Sequence, residues 1–285
     1  MKQRKDGKGR YATSKLAIVV LLGIWLWNLD RTDAPTRNER PAQAKPAPPS
    51  GAPAIKPPSP STTDARHGHA RSGTMTHEFS RYELWESEAA HQLEKQQTSS
   101  DGVVSISFLR EEFAAMAPDI SRHFHFVNGY LEGFSPFPVE NVWTPLTILA
   151  RRKSYELDER LYGGRQEVWQ SSQQAYHYTR GDCEDHALLL ADWLISMGHD
   201  ARVVLGTVHG NGHAWVILFR DGREFLLEAT SKSPRKRYPL ASLLPEYRPA
   251  MMFNREHFWV NTQKRPTTDY SGPHWALRSR FTPHP

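Results

Sequence analysis

The chain has 285 residues, with 36 Lys+Arg against 31 Asp+Glu, 38% hydrophobic residues and one cysteine. The positive balance is local: residues 1 to 72 hold 13 Lys/Arg and 5 Asp/Glu, which leaves 23 against 26 for residues 73 to 285. A phosphate-tracking surface on the larger part is therefore excluded and no nucleic acid partner is expected, and a lone cysteine excludes an intramolecular disulfide framework.

Lys2, Arg4, Lys5, Lys8, Arg10 and Lys15 precede an apolar run over residues 16–29. The pattern suits a signal peptide or an uncleaved anchor; Asp30-Arg31-Thr32-Asp33-Ala34-Pro35 is a poor cleavage site and Ala42-Gln43-Ala44 lies too far downstream, so the run reads as a retained transmembrane signal anchor, with a cleaved signal peptide as the alternative. It is short of the roughly 20 residues a spanning helix needs and must borrow from its flanks. The cationic residues 1–15 are then cytoplasmic, and the chain beyond residue 29 lies outside, periplasmic or otherwise extracytoplasmic. Residues 34 to 62 carry nine of the chain's 21 prolines, which marks residues 30–74 as an extended linker. Residues 75–265 are the size of one domain, and 266–285 read as a C-terminal tail.

Within the domain, residues 76 to 97 are rich in helix formers without Pro or Gly, and 108 to 116 offer a second helix ended by Pro118. A third helical region, 158 to 176, is interrupted at Gly163-Gly164. Next comes Gly181-Asp182-Cys183-Glu184-Asp185-His186, running into an apolar helix. Asp182 suits an N-cap, Asp185 stands where a capping acid belongs, and Gly198 is a C-terminal stop. Ala187, Leu190, Ala191, Leu194 and Met197 form its inward stripe. Strand patterns come after it at 201 to 208, 213 to 219, 224 to 229, 250 to 253 and 258 to 261. Helices first and an antiparallel sheet after indicate an α+β domain.

Cys183 falls at the first helical position, where the macrodipole and unpaired N–H groups favour a thiolate and can hold an oxyanion. Asp182, Glu184 and Asp185 act against this, because their field raises the thiol pKa. A protonated His213 offsets them, as does a calcium ion held by Asp182 and Glu184. Asp221-Gly222 predicts a two-residue hairpin in which Arg220 opposes Arg223, Trp215 opposes Glu228 and His213 opposes Thr230. Glu228 then lies diagonal to His213 on one side of the ribbon, within reach of a ring nitrogen. Cys183 as nucleophile, His213 as base and Glu228 as orienting acid compose an acyl-transfer site. His186, one turn along the helix, ranks second as base, and His209 reads as loop surface.

Gly-Asp-Cys-Glu-Asp before a buried helix, then Gly-His-Ala-Trp-Val on a strand, then Leu-Leu-Glu-Ala-Thr, resembles the transglutaminase-like cysteine enzyme superfamily, particularly its bacterial cysteine-proteinase branch. The resemblance covers roughly residues 165 to 230 and implies a papain-like core, a helix bearing the nucleophile packed on an antiparallel sheet. It implies Cys183 as nucleophile, His213 as base, and calcium on Asp182 and Glu184. The family's third position is usually aspartate in Asp-Pro-Thr, and Glu228-Ala229-Thr230 departs from it. Trp169, Gln173 and Gln174 lie upstream at distances that suit an oxyanion partner. The expected function is that of a membrane-anchored cysteine protease or amidase acting on a protein or peptide substrate, with no cofactor required. A transglutaminase and a catalytically silent peptide-binding domain are the alternatives.

Overall fold

The computed structural model describes residues 23–24, 68–95, 102–232 and 239–285. The basic N-terminus, the expected anchor and the linker up to residue 67 lie outside these, apart from a two-residue strand β1 (Gly23–Ile24). Among the described residues, no helix is long and apolar enough to cross a membrane. The basic run Arg235-Lys236-Arg237 also lies outside them.

In chain order the elements are β2 (Gly73–His77), β3 (Glu83–Trp85), α1 (Glu86–Lys95), β4 (Val104–Phe108), β5 (Glu111–Pro118), β6 (Phe124–Phe126), α2 (Thr144–Arg152), β7 (Ser154–Tyr155), α3 (Asp158–Leu161), α4 (Ser172–His177) and β8 (Arg180–Gly181). They continue with α5 (Cys183–Ser196), β9 (Asp200–Val208), β10 (Asn211–Arg220), β11 (Arg223–Leu227), β12 (Tyr247–Phe253), β13 (His257–Asn261) and β14 (Trp275–Pro283). Eight strands form the main sheet in the order β11-β10-β9-β12-β13-β14-β2-β3, every pair antiparallel. A second antiparallel sheet runs β1-β4-β5-β6, and β7 pairs with β8 in parallel.

The second half matches the sequence pattern closely. Val203, Leu205, Ala214, Val216 and Leu218 alternate toward the core that contains α5, while Val204, Trp215, Ile217 and Leu226 point into a second cluster with Met252, Tyr270 and Trp275. With both faces covered, α5 sits centrally and is buried continuously from Cys183 to Leu194. Its end is a Schellman motif: Gly198 has φ 86°, Gly198 N–H donates to Ile195 O at 2.9 Å, and His199 N–H donates to Leu194 O at 3.1 Å.

The first half departs from it. Of the helix expected over 76 to 97, Glu86–Lys95 forms, while the residues before it pair as β2 and β3, and residues 96 and 97 lie outside the described residues. Residues 108 to 116 are a hairpin: Leu109 and Arg110, at φ 52° and 69°, turn β4 into β5. Phe113 to Met116 are fully buried whichever way they point, and such a short continuous apolar run carries no period that separates helix from strand. The stretch read as a tail supplies β14, which lies between β13 and β2 in the main sheet.

Candidate active site

Two tight turns set the position of His213. His209 and Gly210 (φ 52° and 83°) join β9 to β10, and Asp221 and Gly222 (φ 51° and 67°) join β10 to β11. Positive φ at both central residues matches the right-handed twist of the strands, which is why Asp-Gly is favoured there. Arg220 faces Arg223 and Val216 faces Leu227, the register a two-residue loop dictates. His209 is exposed, as expected of that turn.

The diagonal contact forms. His213 Nε2–H donates to Glu228 Oε2 at 2.8 Å, and Tyr247 O–H, from β12, donates to the same oxygen at 2.9 Å. Thr230 fills the other oxygen, its hydroxyl at 2.6 Å and its N–H at 3.1 Å from Oε1. Burial alone would raise the Glu228 pKa, but the bond and charge from His213 and the Thr230 donors outweigh it and hold the group at about 2. Glu228 is therefore an anion at neutral pH, and with Nε2 carrying the proton a neutral His213 ring keeps its lone pair on Nδ1.

Cys183 opens α5 as a buried free thiol. Its S–H donates to Glu184 Oε2 at 3.4 Å, and the backbone N–H of Ala214 bonds to the sulfur. The sulfur is thereby tied to β10 at the residue after His213. Burial, then the Asp182 and Glu167 carboxylates, push the thiol pKa well above its usual value, while the Ala214 and Glu184 contacts pull the other way. The environment therefore favours the thiol over the thiolate.

His186 is poorly suited to that role. Its Nδ1–H donates to Asp182 O at 2.6 Å, its Nε2 is buried without a partner, and burial together with Lys153 lowers its pKa to about 3. Of the upstream oxyanion candidates, Trp169 Nε1–H is bonded to Glu167 at 2.7 Å, Gln174 completes a capping box with Ser171, and Gln173 N–H is bonded to Glu132 at 3.0 Å. None of these bonds reaches the sulfur.

Asp182 and Asp185 are not solvated caps. Asp182 is the N-cap residue by position, yet its side chain makes no capping bond, and Asp185 Oδ1 accepts from Gln170 N–H at 2.8 Å. Both belong to a buried group in which ligand atoms of Asp158, Asp182, Glu184 and Asp185 lie within 4.8 Å of one another. Asp158 Oδ1, Asp182 Oδ1, Glu184 Oε1 and Asp185 Oδ2 have no hydrogen-bond partner. Burial and mutual repulsion push Asp158 to about 10 and, against the pull of Lys153, Asp185 to about 8. Four unpartnered carboxylate oxygens so close together either hold protons or hold a hard cation, and the all-oxygen donor set fits calcium. Asp158, from α3, is a member that the local sequence motif does not contain. Lys153 is equally invisible in sequence: its buried ammonium donates to Gln170 Oε1 and to the carbonyls of Ala175, Tyr178 and Arg180 at 3.1 to 3.2 Å. Tyr155 is a further neighbour, placed opposite Gly181 by the β7–β8 pairing with its ring 6.3 Å from that of His186.

Residues 167–280 match the family model of the CEP76 peptidase-like domain. Centrosomal protein of 76 kDa from Xenopus tropicalis is 43% identical, and that from Mus musculus 31% identical, over 120 residues, each match covering 35% of this chain and 17% of the relative. The chain thus matches only a small part of the length of these relatives. Among solved structures, Legionella pneumophila LapG is 20% identical with a TM-score of 0.34, covering 47% of this chain and 74% of that one. The calcium-bound form of LapG is 20% identical with a TM-score of 0.36, covering 52% and 83%.

Proposed function

We propose that the chain is a cysteine peptidase or amidase of the transglutaminase-like kind, with Cys183 as nucleophile, His213 as base and Glu228 as the acid that orients it. The observation that carries this reading is the bond from His213 Nε2–H to an ionised Glu228, one residue along β10 from Ala214, whose N–H bonds to the buried Cys183 sulfur. The match of residues 167–280 to a peptidase-like domain supports it, since that span contains all three residues.

In this mechanism the Cys183 proton passes to His213 Nδ1 and the sulfur attacks the substrate carbonyl carbon. The free N–H groups of the first turn of α5 stabilise the oxyanion. Collapse breaks the C–N bond, the amine leaves with the proton from Nδ1, and an acyl thioester remains. Water, deprotonated by the same nitrogen, attacks the thioester and restores the thiol. Throughout, Glu228 holds the tautomer and stabilises the imidazolium. Calcium, when bound by Asp182 and Glu184 with Asp158 and Asp185, would neutralise the negative field that keeps the thiol protonated. Tethering by residues 16–29 outside the cytoplasm belongs to the same reading, and protease accessibility in intact cells against lysed cells tests it.

One observation favours a second reading. A buried thiol whose pKa is driven up is also what a silent peptide-binding domain would retain. Labelling by a thiol-reactive peptide electrophile decides between them. The enzyme reading expects fast labelling of wild type, none of Cys183→Ala and a strong loss in His213→Ala. Equal labelling of wild type and His213→Ala would establish the silent domain.

A further inference from the structure

The strand ends that carry His213 also frame an open cavity of about 280 Å³. Gly206 in β9, the register partner of His213, lines it, and so does Pro249 in β12, the register partner of Gly206. Arg248 contributes from the same strand, while Asn261 and the loop after β13 bring Lys264 and Arg265. Among the described residues, no carboxylate lines the cavity. None of Arg248, Lys264 and Arg265 makes a side-chain hydrogen bond or ion pair among the described residues. Arg180, Arg202, Arg255, Arg278 and Arg280 are each paired with an acid, whereas among the described residues Arg81, Arg110, Arg122, Arg151, Arg160 and Arg223 are not, so what sets the three apart is their convergence on one cavity. Outside residues 1 to 72 acids outnumber bases, 26 to 23, so three unpaired cations around one concavity are not a product of general basicity.

We propose that this cavity is a substrate subsite for an acidic peptide segment, with Arg248, Lys264 and Arg265 receiving its carboxylates. The proposal rests on the peptidase reading and names the substrate class of that same site. Adjacent strands are about 4.8 Å apart, so the cavity lies one to two strands, roughly 5 to 10 Å, from the His213 backbone. An extended peptide advances about 3.3 Å per residue, which places the recognised acid two or three residues from the scissile bond. Two guanidinium groups and an ammonium take carboxylates well and repel a basic side chain, so the subsite selects by rejection as well as attraction. Arg248 and Lys264 are exposed, and binding is therefore sensitive to salt.

Titration calorimetry on full-length Cys183→Ala protein tests this without requiring turnover. The probes are a decapeptide with two adjacent glutamates and its counterpart with two glutamines. The acidic peptide is expected to bind about tenfold more tightly, with the advantage lost in the triple variant Arg248→Gln, Lys264→Gln, Arg265→Gln and reduced at high salt. Equal affinity for the two peptides, or an advantage that survives the triple variant, overturns the proposal, whatever the electrophile assay says of Cys183. Flotation with phosphatidylglycerol vesicles is the third arm. Vesicle binding that depends on the three residues, with no preference between the peptides, would make the patch a membrane contact and also overturn it.

Discussion

Replacing Glu228 by glutamine changes one atom type and separates an orienting acid from a structural polar residue. In the native site Oε2 accepts from His213 at 2.8 Å and Tyr247 at 2.9 Å, and Oε1 accepts from Thr230 at 2.6 and 3.1 Å. The amide oxygen can keep the Thr230 pair, which leaves an NH2 group facing two donors. To make a bond, His213 must move its proton from Nε2 to Nδ1, and the lone pair that would accept the thiol proton is then lost. A wrong-tautomer defect of this kind costs roughly 10³- to 10⁴-fold in the chemical step, about 4 to 5 kcal/mol of barrier. The stability cost is smaller, about 1 to 3 kcal/mol for two donors left without an acceptor. The assay is the second-order rate of Cys183 labelling by a peptidyl chloromethyl ketone, read by intact mass, with circular dichroism to establish folding. Tyr247→Phe is the control: it removes a bond to the same oxygen but leaves the imidazole acceptor in place, and should lower the rate by less than about tenfold. A folded Glu228→Gln protein that labels within about threefold of wild type would refute the orienting role, because the barrier change would then be under about 1 kcal/mol.

Other consequences arise from the buried charges. Calcium added to chelator-treated protein should raise the melting temperature, and more at pH 9 than at pH 6, because Asp185, pushed to about 8, holds its proton at the lower pH and gives it up at the higher, where it no longer competes with the ion; a Tm indifferent to calcium in scanning calorimetry, or a shift unchanged by Asp182→Asn, would count against the site. His125 is bonded to Glu86 at 2.8 Å and lies 3.5 Å from Asp119. Burial would lower its pKa, but the two acids raise it from 6.5 to about 9. The pairing therefore contributes up to about 3 kcal/mol below pH 6.5, lost as pH rises through 9, and urea melts of wild type and His125→Gln at pH 6 and pH 10 should converge at the higher pH. Lys153→Met should destabilise by about 3 to 5 kcal/mol in the same melts, since it leaves Gln170 and three buried carbonyls without their shared donor and four carboxylates without their nearest cation.

The parts of the site legible in sequence are those fixed by short-range rules. The Asp221-Gly222 turn sets the register, and the register sets the His213–Glu228 diagonal. Gly198 ends α5 where a positive φ is required. The hidden parts depend on strand order, which no local pattern encodes. Tyr247 reaches Glu228 only because β12 lies beside β9, while Asp158 joins the acidic group from the start of the stretch read as helical over 158 to 176, and Lys153 reaches it from the end of α2, a helix the sequence pattern does not single out. The helix expected over 108 to 116 fails for a related reason, since β5 is buried on both faces and its run has no polar side from which to take a period.

The position of β14 bears on how the chain is made. Among the described residues it is the sole hydrogen-bonded strand linking β2–β3 to the rest of the main sheet, and Met75 and Ser279, which it brings together, are 204 positions apart. At translation rates of roughly 5 to 20 residues per second, the N-terminal ribbon waits some 10 to 40 seconds for its partner to emerge. During that interval the edge of β2 is an open template for mispairing. A nascent chain stalled before residue 275 should therefore recruit holding chaperones, and release of the last strand should discharge them.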